Sequence, residues 1–312
     1  MCKSIIKTFI FISIFALITP SCVAQKTNEN SMTRTISIEK AFSGLKTHSS
    51  IEITYTQNSR PSEAIITGPE EVVAGMTYEV NSKGILKFNF PNHKNSNLKV
   101  NGKIKILLNG PILQNYEATS AGVIKVTTPI TSKKNLNLQV SSSGNIILQK
   151  NVSALNQSVN IAVSSSGNIK FLENLECEES NIALASSAGI KIPQVTCKNM
   201  NYAGSSTASL EIDNIDVDTA NLAVSSGAEG EIETCKANSL NLTASSGSDI
   251  KLENVMAKMI VGASSSGSEI SLSGKAETGI LSAASGGRIN ISKIRFNNLQ
   301  KISQASGGKI IK

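Results

Sequence analysis

Apolar and polar residues alternate with period two in short runs along most of the chain. Leu136-Asn137-Leu138-Gln139-Val140 and Asn160-Ile161-Ala162-Val163 show the pattern, as do Ile169-Lys170-Phe171, Ile250-Lys251-Leu252 and Ile289-Asn290-Ile291. Such alternation turns one set of side chains inward and leaves the other in water. No segment carries a 3.6-residue apolar stripe, so the pattern predicts strands almost throughout.

The runs are punctuated at a near-constant interval. Ser-Ser-Gly, or a close variant, occurs ten times, from Ser120-Ala121-Gly122 through Ser142-Ser143-Gly144 and Ser225-Ser226-Gly227 to Ala305-Ser306-Gly307. The steps are 22, 23, 21, 19, 20, 20, 20, 19 and 21 residues. Units this short cannot hold a helical hairpin, and the spaced Leu and Asn of a leucine-rich repeat are missing. One unit cannot bury its apolar face alone, but stacked units can. The sequence therefore predicts an all-β fold: a single-stranded parallel β-helix, taken as right-handed, of about ten coils over 116–312. At about 4.8 Å per coil, the rod would be on the order of 50 Å long.

Three further expectations attach to the repeat. The turn glycine should supply the positive φ of a sharp corner, and the serines should hydrogen-bond the turn backbone and each other between coils. A third apolar column, Val152, Cys177, Cys197, Val217, Cys235, Val255, Ala276 and Ile294, should stack on one inner wall. The repeat departs at Ala188 and Thr207, where the turn Gly is replaced, and at Ala228–Glu231, read as a lengthened corner. These departures are the places to look for a site.

Residues 36–115 lack the turn and read as longer strands: Arg34–Glu39, Ser50–Gln57, Glu63–Thr67, Met76–Asn81, Ile85–Phe90 and Lys99–Leu108. They predict a β-rich N-terminal cap over the exposed strand edges of the solenoid. At the other end Ile310-Ile311-Lys312 falls on a strand, which predicts docking or self-association through the C-terminal coil.

Composition agrees with many short strands. Hydrophobic residues make up 40%, which argues against disorder, but aromatics are only 4%, which argues against a conventional aromatic core. Residues 1–24 read as an export signal, with Lys3 and Lys7 ahead of an apolar run, 9–18, too short to span a bilayer. Two processing routes stay open. One is cleavage after Ala24, with Cys22 and Ala24 at −3 and −1. The other is lipidation of Cys22 in Thr19-Pro20-Ser21-Cys22, which has Thr19 where a lipoprotein box prefers Leu. Both place the mature chain, with 25–35 as a flexible linker, in the periplasm, at the outer membrane or on the cell surface. The formal charge of +7 loses two lysines with the signal. The basic residues are scattered without aromatic interleaving, which excludes a nucleic-acid partner.

Candidate chemistry is sparse. Cys177 and Cys197, in adjacent coils of one column, fall within disulfide reach. The plainer reading is two small buried apolar residues, and Cys235 should be unpaired. Asp213, Asp216 and Asp218 fit a weak Ca²⁺ loop or a solvated strand and turn, and Asp218-Thr219-Ala220 matches a short O-glycosylation acceptor. Glu231, Asp249 and Glu269 each precede the Ile that opens a strand and would stack as an acidic ridge, continued by Arg288 and Lys309. Such a ridge is either a cation or basic-partner site or a solvated face. His48 and His93 lie apart from the repeat, and no metal site, cofactor or catalytic residue is expected.

The chain resembles the auto-transporter adhesin head GIN domain family over about 36–311. The resemblance rests on Phe42-Ser43-Gly44-Leu45 followed by Ile51-Glu52-Ile53-Thr54, on Ile104-Lys105-Ile106-Leu107-Leu108 running into Pro111-Ile112-Leu113, and on the Ser-Ser-Gly-x-Ile array. It implies a β-solenoid of the bacterial envelope and an adhesive role, and it carries over no catalytic residues. The expected function is a non-enzymatic surface protein presenting a polar face to glycans or envelope partners. Two alternatives stay open. A pectinase-like enzyme would depend on Glu231 or Asp216, and a structural element would self-assemble.

Overall fold

The computed structural model describes residues 31–91 and 103–312. The export signal with Cys22, most of the 25–35 linker, and His93 lie outside the described residues. The strands form one continuous sheet wound into a solenoid.

One coil shows why. From Ser209 to Val224 the buried side chains are Leu210, Ile212, Ile215, Val217, Ala220, Leu222 and Val224. Alternation breaks twice, at Asp213-Asn214 and Asp218-Thr219, where two successive side chains avoid the interior. With the Ser-Ser-Gly turn, these breaks divide the coil into three legs. In this coil 209–212 is the first leg, 215–217 the second and 220–224 the third. Successive coils pair parallel and in register, so that Ile212 meets Ile232 and Leu222 meets Leu242. Like side chains then stack inward and fill a continuous core.

The third apolar column is two columns. Leu175, Val195, Ile215, Cys235 and Val255 form one; Cys177, Cys197, Val217 and Ala237 form the next. Both lie on the second leg, and their two-residue offset is invisible when coils are aligned only on their turns.

At the N-terminal end the coils are not stacked in chain order. The elements are β1 (Ser31–Ser37), β2 (Gly44–Thr47), β3 (Ile51–Gln57), β4 (Glu63–Pro69), α1 (Glu70–Val73), β5 (Thr77–Val80), β6 (Ile85–Asn89), β7 (Ile104–Gly110), β8 (Asn115–Ala118) and β9 (Val123–Val126). β2 runs parallel to both β6 and β8, and β3 runs parallel to both β7 and β9. The β6–β7 coil therefore lies outside the earlier β2–β3 coil. Antiparallel strands cover it: β5 on β6, β4 on β7 and β1 on β4. β2 and α1 were not among the elements read from the alternation.

Candidate functional site

The site is built on the turn. Two consecutive residues with positive φ recur eleven times, from Ser49-Ser50 to Ser306-Gly307. In eight of the ten repeat turns the following N–H donates back to the carbonyl three residues earlier, as from Gly144 to Ser141 (2.9 Å) and from Ala228 to Ser225 (3.1 Å). Two left-handed residues inside such a bond make a type I′ turn. The second left-handed residue also donates to the next coil, as from Ser143 to the Ser165 carbonyl and from Ser187 to the Ser206 carbonyl, both 3.0 Å. This backbone ladder offsets the cost of left-handed non-glycine residues, about 1 kcal/mol each.

Two expectations about the turn are corrected here. Glycine takes the positive φ only from Gly227 onward; in earlier coils Ala121, Ser143, Ser166, Ser187 and Thr207 take it. Gly122, Gly144 and Gly167 sit one place later, facing inward, where Ala188, Ala208 and Ala228 stand in other coils. The requirement there is smallness, since a methyl on Gly144 would overlap the Ala118 carbonyl. Ala188 is therefore no irregularity. The paired Ser-Ser residues of the turn, moreover, are held by their backbone rather than their hydroxyls. The inward Ser248 and Ser268 hydroxyls, by contrast, do bond the turn backbone and the Val224 and Ala244 carbonyls one coil back. Among the described residues, Ser187 with Thr207 (2.9 Å) is the one hydroxyl pair bridging two turns. The other exposed hydroxyls face water.

The third leg ahead of these turns carries a ladder that the sequence reading did not single out. Asn115, Asn137, Asn160, Asn181, Asn201, Asn221 and Asn241 stack in one outward column. Each Nδ2 donates to the Oδ1 of the asparagine one coil back, at 2.8 to 3.1 Å. Its signal was an Asn about five residues before each of the first seven turns, visible only once the coils are in register. Beside the ladder runs a column of exposed alanines, Ala162, Ala183, Ala203 and Ala223, between Gln139 and Thr243. Ser141, Ser164, Ser205, Ser225 and Ser245 form the far wall. Together they shape a shallow trough in two adjoining sections of about 700 and 650 Å³. It crosses seven coils, about 30 Å. Its one charged lining residue is Glu117, at the end, ion-paired to Lys46.

The acidic residues are arranged differently from the expected ridge. Glu229, not Glu231, stacks with Asp249 and Glu269, and Arg288 and Lys309 continue that column. The corner at Ala228–Glu231 is not lengthened. Instead, Gly230 replaces the inward Ile250 of the next coil. The space goes to Tyr202, whose ring lies 3.2 Å from where a Gly230 Cβ would be and whose hydroxyl donates to the Glu229 carbonyl at 2.9 Å. Burial and the Glu269 charge raise the Asp249 carboxyl above its ordinary range. Glu231 lies on the first leg, 2.6 Å from Lys251, whereas Asp216 lies on the second leg, 2.8 Å from Lys236. The two carboxylates do not converge.

Cys177 and Cys197 are both buried, with free thiols, in adjacent coils. A hydrogen bond with Cys197 and burial hold the Cys177 thiol above its ordinary range. Cys235, one column away, is pushed up to about 12 by burial. His48 is half-buried, its Nε2 3.1 Å from the Phe88 carbonyl, and burial lowers its pKa. Among the described residues no three His, Cys, Asp or Glu side chains are grouped to hold a metal ion.

Two solved structures share the fold. A putative adhesin from Parabacteroides distasonis matches with a TM-score of 0.61 and 15% identity, over 89% of this chain and 98% of its own. A putative adhesin from Parabacteroides merdae matches with a TM-score of 0.61 and 15% identity, over 89% of this chain and 97% of its own. No curated protein matches the sequence. A family model matches residues 41–235 and 220–311, which together span the solenoid from its β2–β3 coil onward. The chain thus belongs to the family described as "Putative auto-transporter adhesin, head GIN domain".

Proposed function

We propose that this protein is a non-enzymatic adhesin of the cell envelope or surface that holds an uncharged, extended glycan along the third-leg trough. The observation that carries the reading is the trough itself: an uncharged floor of alanines between an asparagine ladder and a line of serines, unbroken across successive coils. The alanine floor lets a sugar ring approach the sheet closely. Each interior ladder amide spends one N–H and one lone pair on its neighbours and keeps another lone pair and, except at Asn201, whose Nδ2 also reaches Glu179, another N–H. With the serine hydroxyls, these offer a sugar polar partners on both walls, the usual division of labour in a glycan groove between an apolar face and a few placed polar groups. Family membership supports an adhesive role and an envelope or surface location. The separate ion pairs of Asp216 and Glu231 disfavour the enzyme reading, which requires convergent carboxylates.

The test is a neutral-glycan array probed with the purified protein and with Ala203→Trp, which fills the trough from an exposed position. Binding is expected for the parent and a loss of about tenfold or more for the variant, with thermal stability retained. A blank array, or binding that Ala203→Trp leaves unchanged, would remove the proposal.

A further inference from the structure

We propose that the second leg carries a separate binding trough for a linear acidic polysaccharide. Charge is banded along the solenoid axis. Over residues 211–253 nine carboxylates accompany two cations, Lys236 and Lys251; over 254–312 eight Lys and Arg accompany two carboxylates, Glu269 and Glu277. Both cations of the acidic band are ion-paired, Lys236 with Asp216 and Lys251 with Glu231 and Glu253. Among the described residues no Lys or Arg beyond 253 lies within 4.0 Å of a carboxylate oxygen. The basic band is thus left to neutralise something outside the chain.

Part of that band is concentrated in one place. Two outward columns of the second leg enclose an open trough of about 620 Å³; between them lie Ala237, Ala257 and Ala276, whose side chains are buried in the core. Lys236, Lys258, Lys275 and Arg295 line it, one cation in each of four successive coils. The cations therefore recur at about 5 Å along the axis. Three carboxylates share the trough: Asp216 is tied to Lys236, Asp218 accepts from Asn238 at 2.9 Å, and Glu277 stands without an ion pair. Met256, 55% exposed, lies midway and gives the floor an apolar contact.

A linear polyuronate carries one carboxylate per sugar ring, and each ring advances by about one coil spacing. Charge matches charge in sign and in period over the three coils of Lys258, Lys275 and Arg295, and the apolar ring faces have the exposed Met256 to rest on. A concave rail without aromatic anchors fits a polymer strand better than a membrane surface.

The experiment titrates the purified protein with polygalacturonate and with its fully methyl-esterified, uncharged form, at low and moderate salt. The acidic polymer should bind, more weakly as salt rises, and the ester should bind at least about tenfold less well. The variant Lys258→Gln/Lys275→Gln/Arg295→Gln should lose about tenfold or more of the affinity and much of the salt dependence. Lys133→Gln/Lys134→Gln, which removes two exposed cations from a distant coil, should keep both. Circular dichroism confirms that each variant is folded, since every substituted side chain is exposed. Equal loss in the two variants would reduce the effect to net charge and overturn the site. Absent binding to polygalacturonate, equal binding of the ester, or preference for phosphatidylglycerol vesicles would overturn it too. The triple variant should still bind any neutral glycan held on the third leg, so this site and that one fail separately.

Discussion

Asp249 stands between Glu229 and Glu269 in a column whose members are about 4.8 Å apart. In-register stacking makes the fold but forces like charges together wherever successive coils repeat a sign. Burial and Glu269 raise the Asp249 pKa, outweighing a backbone hydrogen bond that lowers it. A carboxylate whose folded pKa exceeds its unfolded value destabilises the fold above that folded pKa, and the penalty disappears as pH falls through it. Asp249→Asn is therefore expected to raise the unfolding midpoint at neutral pH, with the gain shrinking in acid. Glu173 and Glu253 have the opposite sign: Lys150 and Lys251 lower their pKa values. The stability those pairs contribute is present above the unfolded pKa and lost as pH falls through the folded one. Thermal melts of parent and Asp249→Asn across that range decide the matter; a variant no more stable at neutral pH would show that the column is fully screened. The sequence revealed that these carboxylates recur, but not which of them meet. Anchoring the alignment on an Ile after each turn put Glu231 in the place of Glu229, because Gly230 fills the inward position that Ile250 fills one coil on.

At the scale of a coil, the missing side chain at Gly230 has a structural cause that can be tested. Tyr202 stacks between Ile182 and Leu222 in the third leg and is far larger than either. It fits because Gly204 and Gly230 have no side chains: a Cβ on Gly204 would overlap the Tyr202 hydroxyl, and one on Gly230 would press its ring. A large residue on the third leg of one coil is thus matched by a missing side chain on the first leg of a later coil, which breaks the repeat. Restoring the repeat at one position only should therefore hurt. Gly230→Ile overpacks and is expected to cost about 1–3 kcal/mol. Tyr202→Leu leaves a cavity, removes the hydroxyl bond to the Glu229 carbonyl and is expected to cost a similar amount. The double variant regains the Leu and Ile of neighbouring coils and should lie within about 1 kcal/mol of the parent. Denaturant midpoints for the four proteins supply the cycle, and additive losses would refute the volume exchange. Strands and turn period were legible in the sequence because alternation and the Ser-Ser-Gly interval are local. The asparagine ladder, the two cysteine columns and the Tyr202–Gly230 exchange were not, because each depends on register between residues about 20 positions apart.

Across the whole molecule, a solenoid has no single centre. Each coil pairs only with the one before and the one after, so stability is close to a sum of coil terms and neighbour interfaces. The N-terminal end departs from this, since the β6–β7 coil folds back outside β2–β3 and is covered by antiparallel strands. Sequence order predicts coil order only when each coil follows its neighbour in the chain, and here two coils do not. A local defect should accordingly stay local. Gly144 provides one, because an added methyl would overlap the backbone of Ala118 in the preceding coil and nothing flexible can yield. Gly144→Ala should force apart the coils on either side of that contact. Native-state hydrogen exchange is expected to show faster opening of amides in 115–126 and 136–148, with amides in 240–270 unchanged. The two regions are separated by four or five coils that transmit strain only through their shared interfaces. If every amide gained the same exchange rate instead, the rod would unfold as one cooperative unit. The bands of charge and the two troughs would then be features of a single rigid body rather than of separable coils.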